Sequence, residues 1–160
     1  MITAVQVRTA VAGDMPALRR IYRRASLSNK GDREVLLANP HALELPDNGV
    51  AEGRTRVALV ADGTIVAFAT GLRLDAAVLE LEDLFTDPDW MRQGIARRLV
   101  ADLVASAAHE GIGRIEVTAN PHADAFYRSV GFVYLRDTET QFGPAPRLGL
   151  TIPSASGPTR

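Results

Sequence analysis

The sequence predicts a mixed fold of the α/β (α+β) class in a single domain. Three observations lead to this prediction: segments in which apolar and polar residues alternate, segments with apolar residues at helical spacing, and an Asp-Gly pair between two alternating segments. The length of 160 residues fits one domain, because a chain of about this size buries roughly two-thirds of the surface that it exposes when unfolded. We expect this domain to span 1–152 and the polar residues 153–160 to form a disordered tail.

Seven strands and four helices are predicted in chain order. The strands cover about 5–9, 54–61, 64–74, 77–86, 114–119, 132–141 and 147–152, and the helices about 14–27, 31–45, 92–110 and 122–129. Asp14 and Pro16 are typical of a helix start, and Gly131 of a helix end. Residues 46–53 have the composition of a loop. Asp62-Gly63 is the pair favoured in a type I′ turn, which predicts an antiparallel hairpin over 54–74.

The composition excludes several classes of protein. The chain has 18 Lys plus Arg against 19 Asp plus Glu, for a net charge of -1, whereas a dedicated nucleic-acid binder should carry a basic surplus. It has no cysteine, which excludes thiolate catalysis, disulfides and Cys-based metal sites and fits a reducing cytosol. No apolar run reaches the roughly 18 residues of a membrane span, and the N-terminus lacks the pattern of a signal peptide. A cytoplasmic protein is therefore expected.

The most informative stretch, 79–100, passes from an apolar strand through a Pro-containing turn into an amphipathic helix. Gly94 lies in the first helical turn, within what we call the junction segment, residues 91–97. Free N–H groups and the helix dipole make such a junction suitable for an anion, and Gly94 and Ala96 leave room for phosphate oxygens. A small residue at this position is also typical of close packing, so the glycine alone leaves both interpretations open. The segment matches neither a P-loop nor a dinucleotide fingerprint.

The strand before this junction carries three carboxylates in an unusual order. Leu79 and Leu81 are predicted to point inward and Glu80 and Glu82 to the other face, which places Asp83 on the apolar face. Either a carboxylate is buried there, or the strand bulges and changes register, as strands do beside active sites. An edge strand with ordinary surface acids is the third interpretation.

A second stretch, 115–132, contains Asn120 at a strand end and Ala123, Phe126 and Tyr127 on the following helix. By itself Tyr127 is typical of a packed helical tyrosine. The order of the signals is more informative than any one of them.

Together these stretches resemble the core of the GNAT superfamily, the acetyl-CoA-dependent N-acyltransferases. The family signature Gln/Arg-x-x-Gly-x-Gly/Ala reads here from Met91 to Ala96, with Met91 in place of the polar first residue. The second signature, Asn-x-x-Ala-x-x-aromatic-Tyr followed by Gly-Phe, reads from Asn120 to Phe132. The order of elements also matches. The resemblance implies a mostly antiparallel central sheet of about seven strands, splayed between the fourth and fifth strands.

The resemblance also implies an acetyl-CoA site without a metal ion. The pyrophosphate is expected on the backbone amides of the junction segment and the pantetheine along the fourth strand. The side chain of Asn120 is expected to form a hydrogen bond with the pantetheine. The cofactor-binding residues would be Leu84, Phe85, Thr86, Met91, Arg92, Gln93, Gly94, Ile95, Ala96, Arg97 and Asn120. If residue 91 only shapes the loop, Met91 is harmless, since N–H groups bind the phosphate; if its side chain contributes, affinity falls modestly.

The catalytic residues implied by the resemblance are a base and an acid. An alkyl amine has a pKa near 10.4, so fewer than about one molecule in a thousand is the neutral nucleophile at pH 7. Leu81-Glu82-Asp83-Leu84-Phe85 resembles the strand of the diamine N-acetyltransferases, which makes Glu82 the expected base, acting through water, and Asp83 a substrate-orienting charge. Glu80 is the fallback base, also facing the substrate. Tyr127 is the expected acid for the departing thiolate, and no covalent intermediate is required.

The acceptor is left open by the sequence. The acidic pair Glu82 and Asp83 favours a small primary amine or a polyamine; a protein lysine or N-terminal amine and an amino acid, antibiotic or other small molecule are the alternatives. The runner-up function is an acyl-CoA-binding sensor without turnover, which Met91 weakly favours. Either function is compatible with a homodimer, and neither involves a nucleic acid or a membrane.

Overall fold

The computed structural model describes residues 2–153, so residues 154–160 of the predicted tail lie outside the described part. The strands are β1 (Gln6–Thr9), β2 (Thr55–Leu59), β3 (Ile65–Arg73), β4 (Val78–Thr86), β5 (Arg114–Thr118), β6 (Val133–Thr140) and β7 (Gly143–Thr151). The helices are α1 (Met15–Leu27), α2 (Lys30–Ala38), α3 (Asn48–Ala51), α4 (Ile95–His109) and α5 (Asp124–Ser129), with short 3-10 turns at Ala12–Asp14, Pro40–Leu43 and Pro88–Trp90.

The seven strands form one mixed sheet in the order β1-β2-β3-β4-β5-β7-β6. The pairs β1–β2, β2–β3, β5–β7 and β6–β7 are antiparallel. The pair β4–β5 is parallel and joins residues 78–80 to 114–116. The pairing therefore lies at the start of β4, as a splay between the fourth and fifth strands requires. Because β4 lies between β3 and β5, the interpretation of 77–86 as an edge strand was wrong.

The expected number of four helices was also wrong, since the described residues contain five. The extra helix is α3, one turn inside the predicted loop 46–53, and it is too short to show a helical period in the sequence. The helix predicted over 31–45 ends at Ala38, and a separate 3-10 turn follows from Pro40. The last strand begins at Gly143 rather than near 147.

The hairpin of β2 and β3 is confirmed, but its turn is not of type I′. A type I′ turn needs positive φ at both central residues, and within 2–153 Asp62 is not among the positive-φ residues, whereas Gly63 has φ 89. The N–H of Gly63 donates to the Val60 carbonyl at 2.9 Å, and the N–H of Val60 donates to the Thr64 carbonyl at 3.0 Å. These bonds define a three-residue loop with glycine in the left-handed position.

The described residues divide into two compact units. The first comprises 2–71 and 83–99, and the second comprises 72–82 and 100–153. The core of the first unit packs α1 on the sheet through Ala10, Met15, Leu18, Ile21, Leu45, Val57 and Phe68. The buried apolar residues of the second unit include Leu103, Ala107, Ile112, Ile115, Val117, Phe132 and Leu148. No helix within 2–153 combines the length and apolar character needed to cross a membrane.

Candidate active site

The junction segment follows a turn that is fixed from several sides. The carboxylate of Asp87 accepts the N–H of Asp89 at 2.9 Å, and the backbone N–H of Asp87 donates to the Val66 carbonyl at 2.8 Å. Arg24 on α1 donates to both carboxylate oxygens of Asp87 at 3.3 Å. Asp87 is buried, so its charge is held by a guanidinium and a backbone amide rather than by water. This arrangement fixes the end of β4 ahead of the junction segment.

The junction segment itself has a left-handed backbone at two positions. Arg92 has φ 62 and Gly94 has φ 81, and Arg92 is the one non-glycine residue within 2–153 with a positive φ. Helix α4 begins at Ile95, and the N–H of Arg98 donates to the Gly94 carbonyl at 3.0 Å. The N–H groups of residues 95–97 therefore precede the hydrogen-bond ladder of the helix. A 15-residue helix adds positive potential at this end, which suits an anionic group.

The side chains of the junction segment divide by exposure. Met91, Arg92 and Arg97 are exposed, whereas Gln93, Gly94 and Ala96 are half-buried. Ile95 is buried and begins the apolar face of α4. The amphipathic character predicted for this helix is confirmed, since Leu99, Val100, Leu103 and Ala107 are buried as well; Val104 is half-buried. The segment thus presents its backbone and two guanidinium groups outward.

The three carboxylates of β4 occupy different environments. Glu82 is exposed, whereas Glu80 and Asp83 are half-buried. Val78 and Leu81 are buried although they lie three residues apart, so the alternation predicted from Leu79 and Leu81 changes phase within the strand. Asp83, two residues after Leu81, is half-buried, which lies between the buried carboxylate and the surface acid that the sequence left open.

Glu80 is held by an arginine that the sequence did not indicate. Arg147 on β7 donates from Nη1 to Glu80 Oε2 at 2.8 Å and from Nη2 to Glu80 Oε1. Its Nε donates to Glu116 Oε1 at 3.0 Å, and its Nη1 also donates to Thr118 Oγ1 at 3.0 Å. The side chain of Arg147 is only 12% exposed. Both oxygens of Glu80 are therefore engaged by a bidentate ion pair.

Glu116 on β5 is the buried centre of this group of charges. It is 4% exposed, and Arg114 approaches its second oxygen at 2.6 Å. Burial acts to raise the pKa of Glu116, but the hydrogen bonds from Arg114 and Arg147 outweigh it, so that the pKa lies below its ordinary value. The hydrogen bonds and charges of Glu80 and Glu116 raise the pKa of Arg147. Arg136 also approaches Glu116 Oε1, at 3.7 Å, so three arginines surround this buried carboxylate and compensate its burial.

An aromatic cluster of the first unit includes Phe85, which follows Asp83 by two residues on β4. The Tyr22 ring meets the Phe85 ring edge-on, with centroids 4.8 Å apart, and Phe85 lies 5.7 Å from Phe68. The Tyr22 hydroxyl donates to the Ala42 carbonyl at 2.8 Å. Burial raises the pKa of Tyr22, and the charge of Asp83 raises it further. An acid beside aromatic rings is an environment suited to a cation.

Asn120 and Tyr127 lie on the loop and helix that follow β5. The Asn120 Oδ1 accepts the N–H of Ala123 at 2.9 Å, which leaves its amide N–H₂ as the donating group. Tyr127 is 6% exposed and packs edge-on against Phe126 and Phe132, with ring centroids 5.4 and 5.2 Å away. The N–H of Phe132 donates to the Tyr127 carbonyl at 3.0 Å, which closes the C-terminus of α5. Tyr127 is therefore held firmly in place.

The structure distributes the predicted site residues over its two units. The first unit contains Asp83, residues 84–86 and the junction segment, and the second contains Glu80, Glu82, Asn120 and Tyr127. Sequence reasoning missed Arg24, Arg147 and Glu116. For Glu116 a signal was available, because the pattern Ile115-Glu116-Val117 places this acid opposite the apolar face of a strand. For Arg24 and Arg147 no local pattern indicates that they pair with Asp87 and Glu80. The described residues contain no group of three or more His, Cys, Asp and Glu that could hold a metal ion.

Comparison with known proteins shows which family this chain matches. The sequence profile of the family described as "Acetyltransferase (GNAT) family" matches residues 15–132. No curated protein matches the chain significantly.

Solved structures provide the second comparison. The chain is similar to the ribosomal-protein-S18-alanine N-acetyltransferase of Escherichia coli, with 22% identity, a TM-score of 0.71 and coverage of 98% of this chain and 99% of that chain. It is similar to PaiA N-acetyltransferase of Thermoplasma acidophilum in complex with coenzyme A, with 16% identity, a TM-score of 0.75 and coverage of 93% of this chain and 99% of that chain. It is also similar to a phosphinothricin acetyltransferase of Sinorhizobium meliloti in complex with AcCoA, with 19% identity, a TM-score of 0.69 and coverage of 98% of this chain and 94% of that chain. These likenesses show the fold.

Proposed function

Because this chain belongs to the GNAT acetyltransferase family and is therefore an acyltransferase, we propose that it moves the acetyl group of acetyl-CoA directly to a primary amine. The observation that carries the proposal is the junction segment, in which two left-handed residues lead into the N-terminus of α4 immediately after β4. Acceptor and coenzyme bind together in this proposal, since transfer without a covalent enzyme intermediate needs both at once.

The coenzyme site combines backbone amides with a strand edge. The pyrophosphate lies on the N–H groups of the junction segment from Arg92 to Arg97, where helix dipole and exposed guanidinium groups favour a dianion. The pantetheine pairs with the backbone of residues 84–86. Asn120 donates its side-chain N–H₂ to a pantetheine carbonyl, because its Oδ1 is already occupied by the N–H of Ala123. Met91 contributes no polar atom, so we expect binding to depend on the backbone.

Glu82 is the general base in this proposal. Glu80, its competitor, has both carboxylate oxygens engaged by Arg147, so a water molecule or an acceptor would have to share these oxygens with the guanidinium. Glu82 is exposed and so can act through a water molecule. Asp83, beside Tyr22 and Phe85, holds the ammonium form of the acceptor before its proton is removed.

In the transfer step, Glu82 accepts a proton and Tyr127 donates one. The ammonium ion loses a proton through water to Glu82, and the neutral nitrogen attacks the thioester carbonyl carbon. The tetrahedral intermediate then breaks its C–S bond as Tyr127 protonates the leaving sulfur. The products are an acetamide and coenzyme A; the second proton of the nitrogen and the proton taken up by Glu82 both pass to solvent. Tyr127 regains its proton from bulk water.

A small or polyamine-like primary amine is the acceptor that the acidic pair on β4 favours. The names of the similar proteins include a ribosomal protein and phosphinothricin, so the fold admits acceptors of several classes. A protein lysine or N-terminal amine is therefore the alternative acceptor to include in any test.

The deciding experiment incubates the full chain with acetyl-CoA and a panel of diamines, polyamines, amino acids and peptides, while release of free thiol is followed. We expect thiol release with at least one amine and the corresponding acetamide by mass spectrometry. If acetyl-CoA raises the melting temperature but no amine releases thiol, the domain is an acyl-CoA sensor and the enzymatic proposal fails. A peptide-only response would transfer the acceptor assignment to proteins.

A further inference from the structure

One residue of the junction segment, Arg92, has a backbone conformation that residues with a side chain disfavour. Arg92 has φ 62 and lies two residues before Gly94 with φ 81. A residue with a Cβ rarely adopts this region, because the Cβ then crowds the following carbonyl oxygen. Such a conformation persists where surrounding contacts impose it. The contacts around Arg92 and Gly94 are therefore informative about function.

The contacts come from the segment that precedes β1. The N–H of Thr3 donates to the Gln93 carbonyl at 2.8 Å, and the Thr3 hydroxyl donates to Gln93 Oε1. Gln93 is the residue between the two left-handed positions, so both bonds act directly beside Arg92. A Cβ placed on Gly94 would lie 3.4 Å from Ile2 Cγ2, so Ile2 covers the glycine from the same side.

These contacts do not serve the hydrophobic core. The Ile2 side chain is 83% exposed, and Thr3 and Gln93 are half-buried. The turn before the junction segment is held separately, by the hydrogen bonds from Arg24 to Asp87. Thr3 at Gln93 and Arg24 at Asp87 thus restrain the chain within the junction segment and ahead of it, although residues 91–94 pack little apolar surface of their own.

We propose that Thr3 is a positioning residue of the coenzyme A site, which holds the junction segment in its anion-binding conformation before the coenzyme arrives. The inference rests on the proposed function, since the anion is the pyrophosphate of acetyl-CoA. When only a fraction of molecules has the competent conformation, the apparent Kd rises by the inverse of that fraction. Thr3 raises that fraction without touching the ligand or the reacting atoms.

Three substitutions separate the two bonds of Thr3. Thr3→Ser retains both donors, Thr3→Val removes the hydroxyl, and Thr3→Pro removes the N–H as well. A hydrogen bond of ordinary strength corresponds to about a two- to tenfold change in an equilibrium constant. By calorimetry with coenzyme A, we expect Thr3→Ser to bind like the wild type, Thr3→Val about threefold more weakly and Thr3→Pro about tenfold more weakly. Thr151→Val, an exposed threonine on β7, is the control.

Two further readouts distinguish positioning from general stability. Turnover should show a raised KM for acetyl-CoA with an unchanged kcat in Thr3→Val, because the bound complex is the same. Amide hydrogen exchange in the absence of coenzyme should become faster at residues 92–96 in Thr3→Val, with no change in β5. If Thr3→Pro does not fold, Thr3→Val and the exchange data still decide.

The outcomes are separable from those of the proposed function. Wild-type protein that fails to bind coenzyme A overturns both. Wild-type binding with an unchanged Kd and unchanged exchange in Thr3→Val overturns the positioning role alone. A loss of melting temperature in Thr3→Val with an unaltered Kd likewise reduces Thr3 to a structural contact and contradicts the inference.

Discussion

Arg147 on β7 holds both carboxylate oxygens of Glu80 on β4, although β5 lies between the two strands in the sheet. The guanidinium spans β5 and binds Glu116 and Thr118 on the way. The contact lies at residues 78–80, where β4 pairs in parallel with β5. A buried ion pair thus fixes the portion of β4 from which the two further carboxylates, Glu82 and Asp83, extend.

Replacement of Arg147 by glutamine should destabilise the fold strongly. The half-buried Glu80 would lose the guanidinium that binds both its oxygens, whereas the buried Glu116 would retain Arg114; losing hydrogen bonds to a charged group costs about 1.5 to 3 kcal/mol. Equilibrium urea unfolding measures the loss. Arg128→Gln is the matched control, because the pair Arg128–Asp124 is 49% exposed on the arginine side and should contribute less than about 1 kcal/mol. Equal losses in the two variants would contradict the assigned role of Arg147.

The two glutamates of β4 should respond differently to neutralisation. If Glu82 is the base, Glu82→Gln should lower kcat by about 10² to 10⁴ and remove the acidic limb of the pH–rate profile. Glu80→Gln should retain that limb, since its carboxylate is already bound to Arg147, and should instead lower the melting temperature. An acidic limb that persists in Glu82→Gln and disappears in Glu80→Gln would reverse the assignment.

How much of this molecule the sequence predicts depends on the range of the contacts involved. The junction segment was located because Gly94 and the apolar face of α4 are local features, and Tyr127 because its motif spans a few residues. Arg147 and Glu80 are 67 residues apart, and no local pattern pairs them. The one-turn helix α3 has no period to detect, and the hairpin turn depended on the sign of φ at Asp62, which an Asp-Gly pair does not determine.

Asp14 should contribute a pH-dependent part of the stability. A hydrogen bond from Arg8, at 2.8 Å, lowers the pKa of Asp14 below its ordinary 3.8 against the effect of burial. A depressed pKa stabilises the fold above the unfolded value and loses that contribution as the pH falls through the folded value. Asp14→Asn, which retains an acceptor for the Val11 N–H, should therefore lose about 1 kcal/mol or less at pH 7.

The same substitution should become silent in acid. Unfolding curves of wild type and Asp14→Asn should converge as the pH falls below about 4. Arg8→Gln should reproduce the difference at pH 7 and its disappearance in acid, because it removes the same pair from the other side. A gap between wild type and Asp14→Asn that stays constant from pH 7 to pH 3 would show that the charge is not its source.

Gly49 should resist substitution because its surroundings leave no room. A Cβ on Gly49 would lie 2.8 Å from Thr70 Cγ2 and 2.9 Å from Thr55 Oγ1. Both threonines are buried, and their hydroxyl oxygens are hydrogen-bonded to each other at 2.9 Å. Overpacking of this kind costs about 1 to 3 kcal/mol, so Gly49→Ala should lower the free energy of unfolding accordingly. Gly31→Ala, with no atom within 4 Å of the added Cβ, should be neutral or stabilising in α2. Similar effects of the two alanines would refute the steric explanation.

Tyr127→Phe should separate chemistry from binding. The ring packs between Phe126 and Phe132, and phenylalanine retains that packing, so the fold and the affinity for acetyl-CoA should change little. Loss of the hydroxyl removes the proton donor for the leaving thiolate, which should lower kcat by about 10² to 10⁴. Steady-state thiol release together with calorimetry of coenzyme A measures both quantities. Phe126→Leu, a change beside the same ring, is the control for packing. Parallel losses of kcat and affinity in Tyr127→Phe would remove Tyr127 as the acid, because a group that acts only on the leaving sulfur has no effect on the bound ground state.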